Sequence, residues 1–162
     1  MTVYHGSVAP IEKPDLACSK SRVDFGPGFY VTTFRDQAER WALRRAMRMR
    51  TKAVVSAYVF NESAAGLAVR KFADADLEWL DAVASCRRGV DSLAGCDVVI
   101  GPVADDAVFE AVSMYLSGIW DAARTLSEVR YYKRNDQIVF KTERALSTLA
   151  FQSFHEVGGA RG

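Results

Sequence analysis

Strand-forming and helix-forming stretches do not alternate along this chain, which argues for an α+β domain rather than a doubly wound parallel sheet. A short β-prone run, Val3-Tyr4-His5-Gly6, is stopped by its glycine, and two prolines in residues 10–15 make the next stretch an irregular connection. Gly26-Pro27-Gly28 then leads into four β-formers in succession, Phe29-Tyr30-Val31-Thr32. Thr33 can cap a following helix, with Asp36 in its first turn and Phe34, Ala38, Trp41 and Ala42 at helical spacing to about Arg50. Residues 53–60 read as a strand and 67–72 as a weaker one, together suggesting an antiparallel pair. Asp74 is placed to cap a helix to about Arg88, residues 97–103 read as a buried strand, and Asp105 or Asp106 starts another helix. A helical piece over 121–129 precedes a strand over 137–141, a short helix over 143–149 and a strand over 151–154.

A chain of 162 residues supports one hydrophobic core, so a single domain over 1–156 is expected, with 157–162 a frayed, Gly-rich tail. No run of about 18 apolar residues and no basic, apolar leader occurs, so no membrane partner is expected and the cytoplasm is the expected compartment. Three cysteines, Cys18, Cys86 and Cys96, form no C-x-x-C pair and read as reduced packing residues. The two histidines, His5 and His155, stand at opposite ends of the chain without metal-ligand spacing, so no metal is expected and His155 reads as structural or exposed.

Three separated pieces carry the functional signal: Tyr4-His5-Gly6, Asp24-Phe25-Gly26-Pro27-Gly28-Phe29-Tyr30-Val31-Thr32, and Asn135-Asp136-Gln137-Ile138-Val139-Phe140. This set resembles the ADP-ribosyltransferase superfamily, in the branch of poly-ADP-ribose polymerases and diphtheria-type toxins, with His on the first strand, Tyr on the second and an acidic residue on a late one. It looks closest to a bacterial group of that fold found in toxin–antitoxin-like gene pairs, which residues 97–106 and 137–151 also resemble. The resemblance implies a split antiparallel β-sandwich with flanking helices, NAD as substrate, and no metal. It implies that His5 bonds a ribose hydroxyl, that the Gly6 backbone holds the nicotinamide amide beside Tyr4, and that Tyr30 stacks on the nicotinamide ring next to Phe29. The chemistry is consistent with such a site: breaking the nicotinamide–ribose bond passes through an oxocarbenium-like ribose, which needs orientation and charge stabilisation more than a strong nucleophile. Gly26 and Gly28 would let the backbone approach the ligand, and Thr32 could add a hydroxyl contact.

The acidic position of the family falls on Asp136 or Gln137, depending on a one-residue shift that reverses the face of the strand. Asp136 would keep the negative charge, with a shorter reach. Gln137 could bond a ribose hydroxyl and could not act as a base. The β-run begins at Gln137 and Asp136 suits a turn, which places Gln137 ahead. Trp41 either packs its helix on the sheet or walls the pocket. The helix around it carries seven basic residues against two acidic ones over 35–52, a face that could meet the NAD pyrophosphate, a nucleic acid or an acidic antitoxin, or simply face solvent. Residues 61–118 reverse the balance, with ten acidic against four basic residues. The resulting expectation is an NAD-dependent mono-ADP-ribosyltransferase, an intracellular toxin restrained by an antitoxin and modifying a protein or nucleic acid. The alternatives are a catalytically weak or inactive NAD- or ADP-ribose-binding module and an NAD hydrolase.

Overall fold

Among the described residues, seven strands form two sheets that share one interior. The computed structural model of the chain describes residues 1–64, 66–103, 106–129 and 135–158, with 106 and 107 described by backbone alone. The first sheet joins β1 (Thr2–Ser7), β3 (Ala53–Phe60) and β7 (Leu149–Val157) in the order β1-β3-β7, all antiparallel. The second joins β2 (Phe29–Val31), β6 (Asp136–Phe140), β5 (Val98–Pro102) and β4 (Val69–Lys71) in the order β2-β6-β5-β4. Only the β4–β5 pair is parallel; β2–β6 and β5–β6 are antiparallel. Five α-helices among the described residues complete the α+β fold: α1 (Arg35–Met49), α2 (Leu77–Arg87), α3 (Asp106–Leu116), α4 (Ala122–Val129) and α5 (Glu143–Leu146).

Alternation along the strands divides the core into three parts. Val3, Phe29, Val31, Tyr58, Ile138 and Phe140 come from both sheets and fill the space between them. The opposite face of the second sheet, with Val99 and Val139, is covered by Trp79, Leu80 and Val83 of α2 and by Val108, Val112 and Val129 of α3 and α4. On the outer face of the first sheet, Ala53 and Val55 receive Ala38, Ala42 and Ala46 of α1.

Several local expectations are corrected here. β1 does not stop at Gly6 but runs through it to Ser7, because the glycine makes room for a helix: a Cβ there would lie 2.1 Å from the Ala38 carbonyl oxygen. That close approach also explains why α1 presents alanines to the sheet, leaving Trp41 half-buried and outside the three clusters. β3 and β4 do not pair; both edges of β3 are taken by β1 and β7, and β4 lies parallel to β5 across the α2 connection. The N-cap of α2 is Asp76 rather than Asp74, with its carboxylate 2.9 Å from the Trp79 N–H. The N-cap of α1 is Phe34 without a side-chain bond, because the Thr33 hydroxyl is turned to Asp136 instead. β6 begins at Asp136, which pairs with Pro102, and β7 continues to Val157, which pairs with Ala53. The expected helix start at Asp105 and the tail residues 159–162 lie outside the described residues. The three cysteines are free, and Cys18 is exposed rather than packed.

Candidate functional site

Among the described residues, the two sheets are joined edge to edge at a single bridge. Tyr4 and Thr32 exchange both backbone hydrogen bonds, at 2.8 and 2.9 Å. A continued antiparallel ladder would next offer the Gly6 N–H to the Tyr30 carbonyl, but no backbone bond joins Gly6 to β2. His5 takes that carbonyl instead: its Nδ1 lies 2.6 Å from the Tyr30 oxygen, so Nδ1–H donates, and the ring stacks on Phe29 with centroids 4.4 Å apart. The strands therefore part at an imidazole.

This splitting has two chemical results. Tyr4 spends its N–H and C=O on β2, so the two-residue alternation sets those of Gly6 on the same edge and leaves the bonds to β3 to Val3, His5 and Ser7. Gly6 thus holds a donor and an acceptor side by side at the split, the complement of a primary carboxamide. Burial lowers the His5 pKa to about 4, against the bond to Tyr30, with the nearby Arg45 charge adding to the lowering. The ring is neutral at pH 7. With Nδ1–H committed, Nε2 is an acceptor for a hydroxyl.

Tyr30 is tied into the loop before it. Its hydroxyl donates to the Gly26 carbonyl at 2.6 Å and accepts from the Phe25 N–H at 3.1 Å, and burial pushes its pKa far above the ordinary tyrosine value. It cannot exchange a proton near neutral pH. The glycines of that loop meet protein: a Cβ on Gly28 would lie 2.4 Å from Val139 Cγ1, and one on Gly26, whose φ is 75°, would lie 2.7 Å from Asp91 Oδ1. The Lys141 ammonium, on a side chain only 3% exposed, clamps the same loop through the carbonyls of Phe25 and Pro27, with Asp91 as its counter-charge. Tyr4 packs on the α1 side of the first sheet.

Asp136 and Gln137 point to opposite faces of β6 and have different duties. Asp136 accepts from the Thr32 hydroxyl and the Thr33 N–H, each at 2.8 Å, and from the Thr33 hydroxyl at 2.5 Å. It organises the β2–α1 turn. Thr32 is fully buried and also receives the Phe34 N–H, which leaves it bound to protein. Gln137, also buried, shares a face with Tyr30: Tyr30 lies opposite Val139, two residues along β6. The Gln137 Nε2 donates to Asp24 Oδ2 and to the Pro102 carbonyl, both at 3.1 Å. With both amide hydrogens placed, its oxygen is left to accept.

Asp24 connects this amide to an arginine. The Arg87 Nε and Nη2 donate to Asp24 Oδ1 at 2.9 and 2.6 Å, while the Phe109 ring covers the guanidinium at 4.4 Å. Arg87 Nη1 is buried and has no hydrogen-bond partner. Sequence reasoning gave Arg87, Gln37 and Lys141 no role, and no local signal could have supplied one, since Arg87 and Asp24 stand 63 positions apart. Gln37 is the α1 counterpart: its amide donates to the Asp136 carbonyl at 2.9 Å, below the turn that Asp136 holds. The other histidine, His155, sits 3.2 Å from Glu39 and Arg35, away from this cluster. No group of His, Cys, Asp and Glu able to hold a metal occurs among the described residues, and none of their helices is long and apolar enough to cross a membrane.

Comparison with known proteins places residues 1–151 under a family model described as a protein of unknown function (DUF3990). No curated protein matches the chain.

Proposed function

The chain belongs to the DUF3990 family, and we propose that it binds NAD where β1 and β2 part and acts as a mono-ADP-ribosyltransferase on a macromolecular acceptor. The observation that carries this reading is the pairing, in adjacent residues, of the bond-free Gly6 backbone with a neutral His5 whose Nε2 can only accept. A nicotinamide carboxamide needs a donor and an acceptor close together, and the ribose beside it carries hydroxyls that need an acceptor. On this reading the two sheets form the split sandwich of the ADP-ribosyltransferases, and Tyr30 and Gln137, on one face of β2 and β6, line the same region. The Gln137 oxygen accepts from a ribose hydroxyl and orients the sugar; nicotinamide leaves as a neutral ring, carrying the electron pair of the broken bond. An antitoxin-type partner and a cytoplasmic setting belong to the same reading.

A second reading, a pocket that binds NAD or ADP-ribose without cleaving it, is favoured by one feature. The carboxylates near the β6 positions, Asp136 and Asp24, are both engaged by protein donors, so neither is placed as a spare charge for a cationic ribose. Nicotinamide release from NAD by the purified protein, compared with His5→Ala, separates the two. Release that depends on His5 supports the transferase. NAD binding without release supports the binding module, and absence of NAD binding refutes both.

A further inference from the structure

The outer side of α1 carries an apolar ridge set among arginines. Ala38, Ala42 and Ala46 are the residues that α1 gives to the first sheet. On the far side of the helix stand Arg40, Leu43, Arg44 and Met47, all exposed. Met47 is 80% exposed, more than any other large hydrophobic side chain among the described residues. A single exposed apolar side chain needs no explanation. Leu43 and Met47, however, lie one turn apart, with Arg40 three residues before them and Arg50 three residues after. That 3-4-3 spacing is the seam by which one helix receives another.

The charge along this face is uneven. Toward its N-terminus the helix neutralises itself, Arg35 with Glu39 at 3.0 Å and Arg40 with Asp36 at 2.9 Å. Residues 44–52 hold five basic residues and no acidic one, all five exposed, and of these Lys52 is paired with Glu156 of β7. Arg48 and Arg50 make no ion pair among the described residues. A helix C-terminus favours arginine through its dipole, so charge alone would ask for no partner. The ridge among the charges does, because it is apolar surface that only a further molecule can remove from water.

We propose that the outer face of α1 docks an acidic amphipathic helix of a partner protein. The partner's apolar residues cover Leu43 and Met47, and its Glu and Asp side chains meet Arg44, Arg48 and Arg50. The two helices run antiparallel, since acidic residues suit the first turns of a helix and the arginines lie in the last turns of α1. A nucleic acid would use the arginines but leave Leu43 and Met47 without apolar cover. An anionic bilayer takes up a helix through a broad apolar face, and that of α1 is spent on the sheet. The surface is independent of NAD, because α1 meets Gly6 and the first sheet through its opposite side.

The probe is a synthetic helical peptide with Leu at its heptad a and d positions and Glu beside them. It is compared with a peptide of the same composition in shuffled order, the intact protein being titrated into each and binding read by fluorescence anisotropy. The patterned peptide should bind about tenfold or more tighter than the shuffled one, and salt should weaken it. Met47→Gln should weaken that binding by about tenfold, the loss of one buried apolar side chain. Arg44→Glu with Arg48→Glu should abolish it, and this double variant should instead bind a peptide with Lys in place of Glu. Equal binding of the two peptides, or binding that folded Met47→Gln leaves unchanged, overturns the inference. Tighter binding of a nucleic-acid duplex or of phosphatidylserine vesicles, abolished in the double arginine variant, assigns the face to that polyanion and overturns it as well. The substituted side chains are all exposed; if a variant does not fold, the patterned and shuffled peptides on the wild type still decide.

Discussion

Protonation of His5 should destabilise the fold, and the structure gives the size of the effect. Above pH 7 the ring is neutral in both folded and unfolded chains, so the group contributes no pH dependence. As pH falls, the unfolded chain takes up its proton near 6.5, while burial holds the folded ring near 4. Between those values the unfolded state binds more protons, so stability falls with decreasing pH; below about 4 both states are charged and the loss levels off. From pH 7 to 4.5 this linkage amounts to roughly 2 kcal/mol, a sizeable part of the stability of a domain this size. Carboxylates titrate in the same window, so the assay is a difference: urea unfolding of wild type and His5→Asn at pH 7.5, 6.5, 5.5 and 4.5. Asparagine has no charge to gain. The wild type should lose roughly 2 kcal/mol more than the variant between pH 7.5 and 4.5, with most of the difference between 6.5 and 4.5. Equal losses would mean that the imidazole is not held neutral at the split, and the assignment of Nε2 as an acceptor would fall with it.

Other substitutions test the remaining parts of the site. Gln137→Glu keeps the shape but removes both amide donors and sets a carboxylate against Asp24 Oδ2 and the Pro102 carbonyl, so it should lower stability by ~2–4 kcal/mol and fail to raise NAD cleavage; faster turnover in a variant of wild-type stability would refute this placement of the amide. Gly6→Ala would drive a methyl into the Ala38 carbonyl, so thermal unfolding should show a loss of about 1–3 kcal/mol together with weakened NAD binding. Asp97 is held well below its usual pKa, at about 2, by hydrogen bonds from Arg144, Thr142 and the Ala68 N–H. Its contribution is complete above about pH 4 and is lost as pH falls toward 2, so acid unfolding of Asp97→Asn should be less steep than that of wild type in that range.

The local pattern determined which segments become strands and helices, because a two-residue or 3.6-residue period is written in neighbouring side chains. The run of β-formers at 53–60 and the helical periodicity after Thr33 mark β3 and α1 to within two residues. That strands and helices would not alternate, and so build an α+β fold, followed from the same reading. Pairing was not legible, because it depends on segments far apart: β3 meets β7 almost a hundred residues later, and so cannot meet β4. Nor was it visible that a glycine in β1 answers a carbonyl in α1. His5, Tyr30 and the β6 pair could be singled out as chemical residues, but their duties were set by what surrounds them. Asp136 is consumed by two threonines, Tyr30 by its own loop, and Gln137 by Asp24, whose other oxygen belongs to Arg87. A sequence specifies which polar groups a chain carries; which of them stay available is decided only when burial forces each donor and acceptor to find a partner, and those partners come from any distance along the chain.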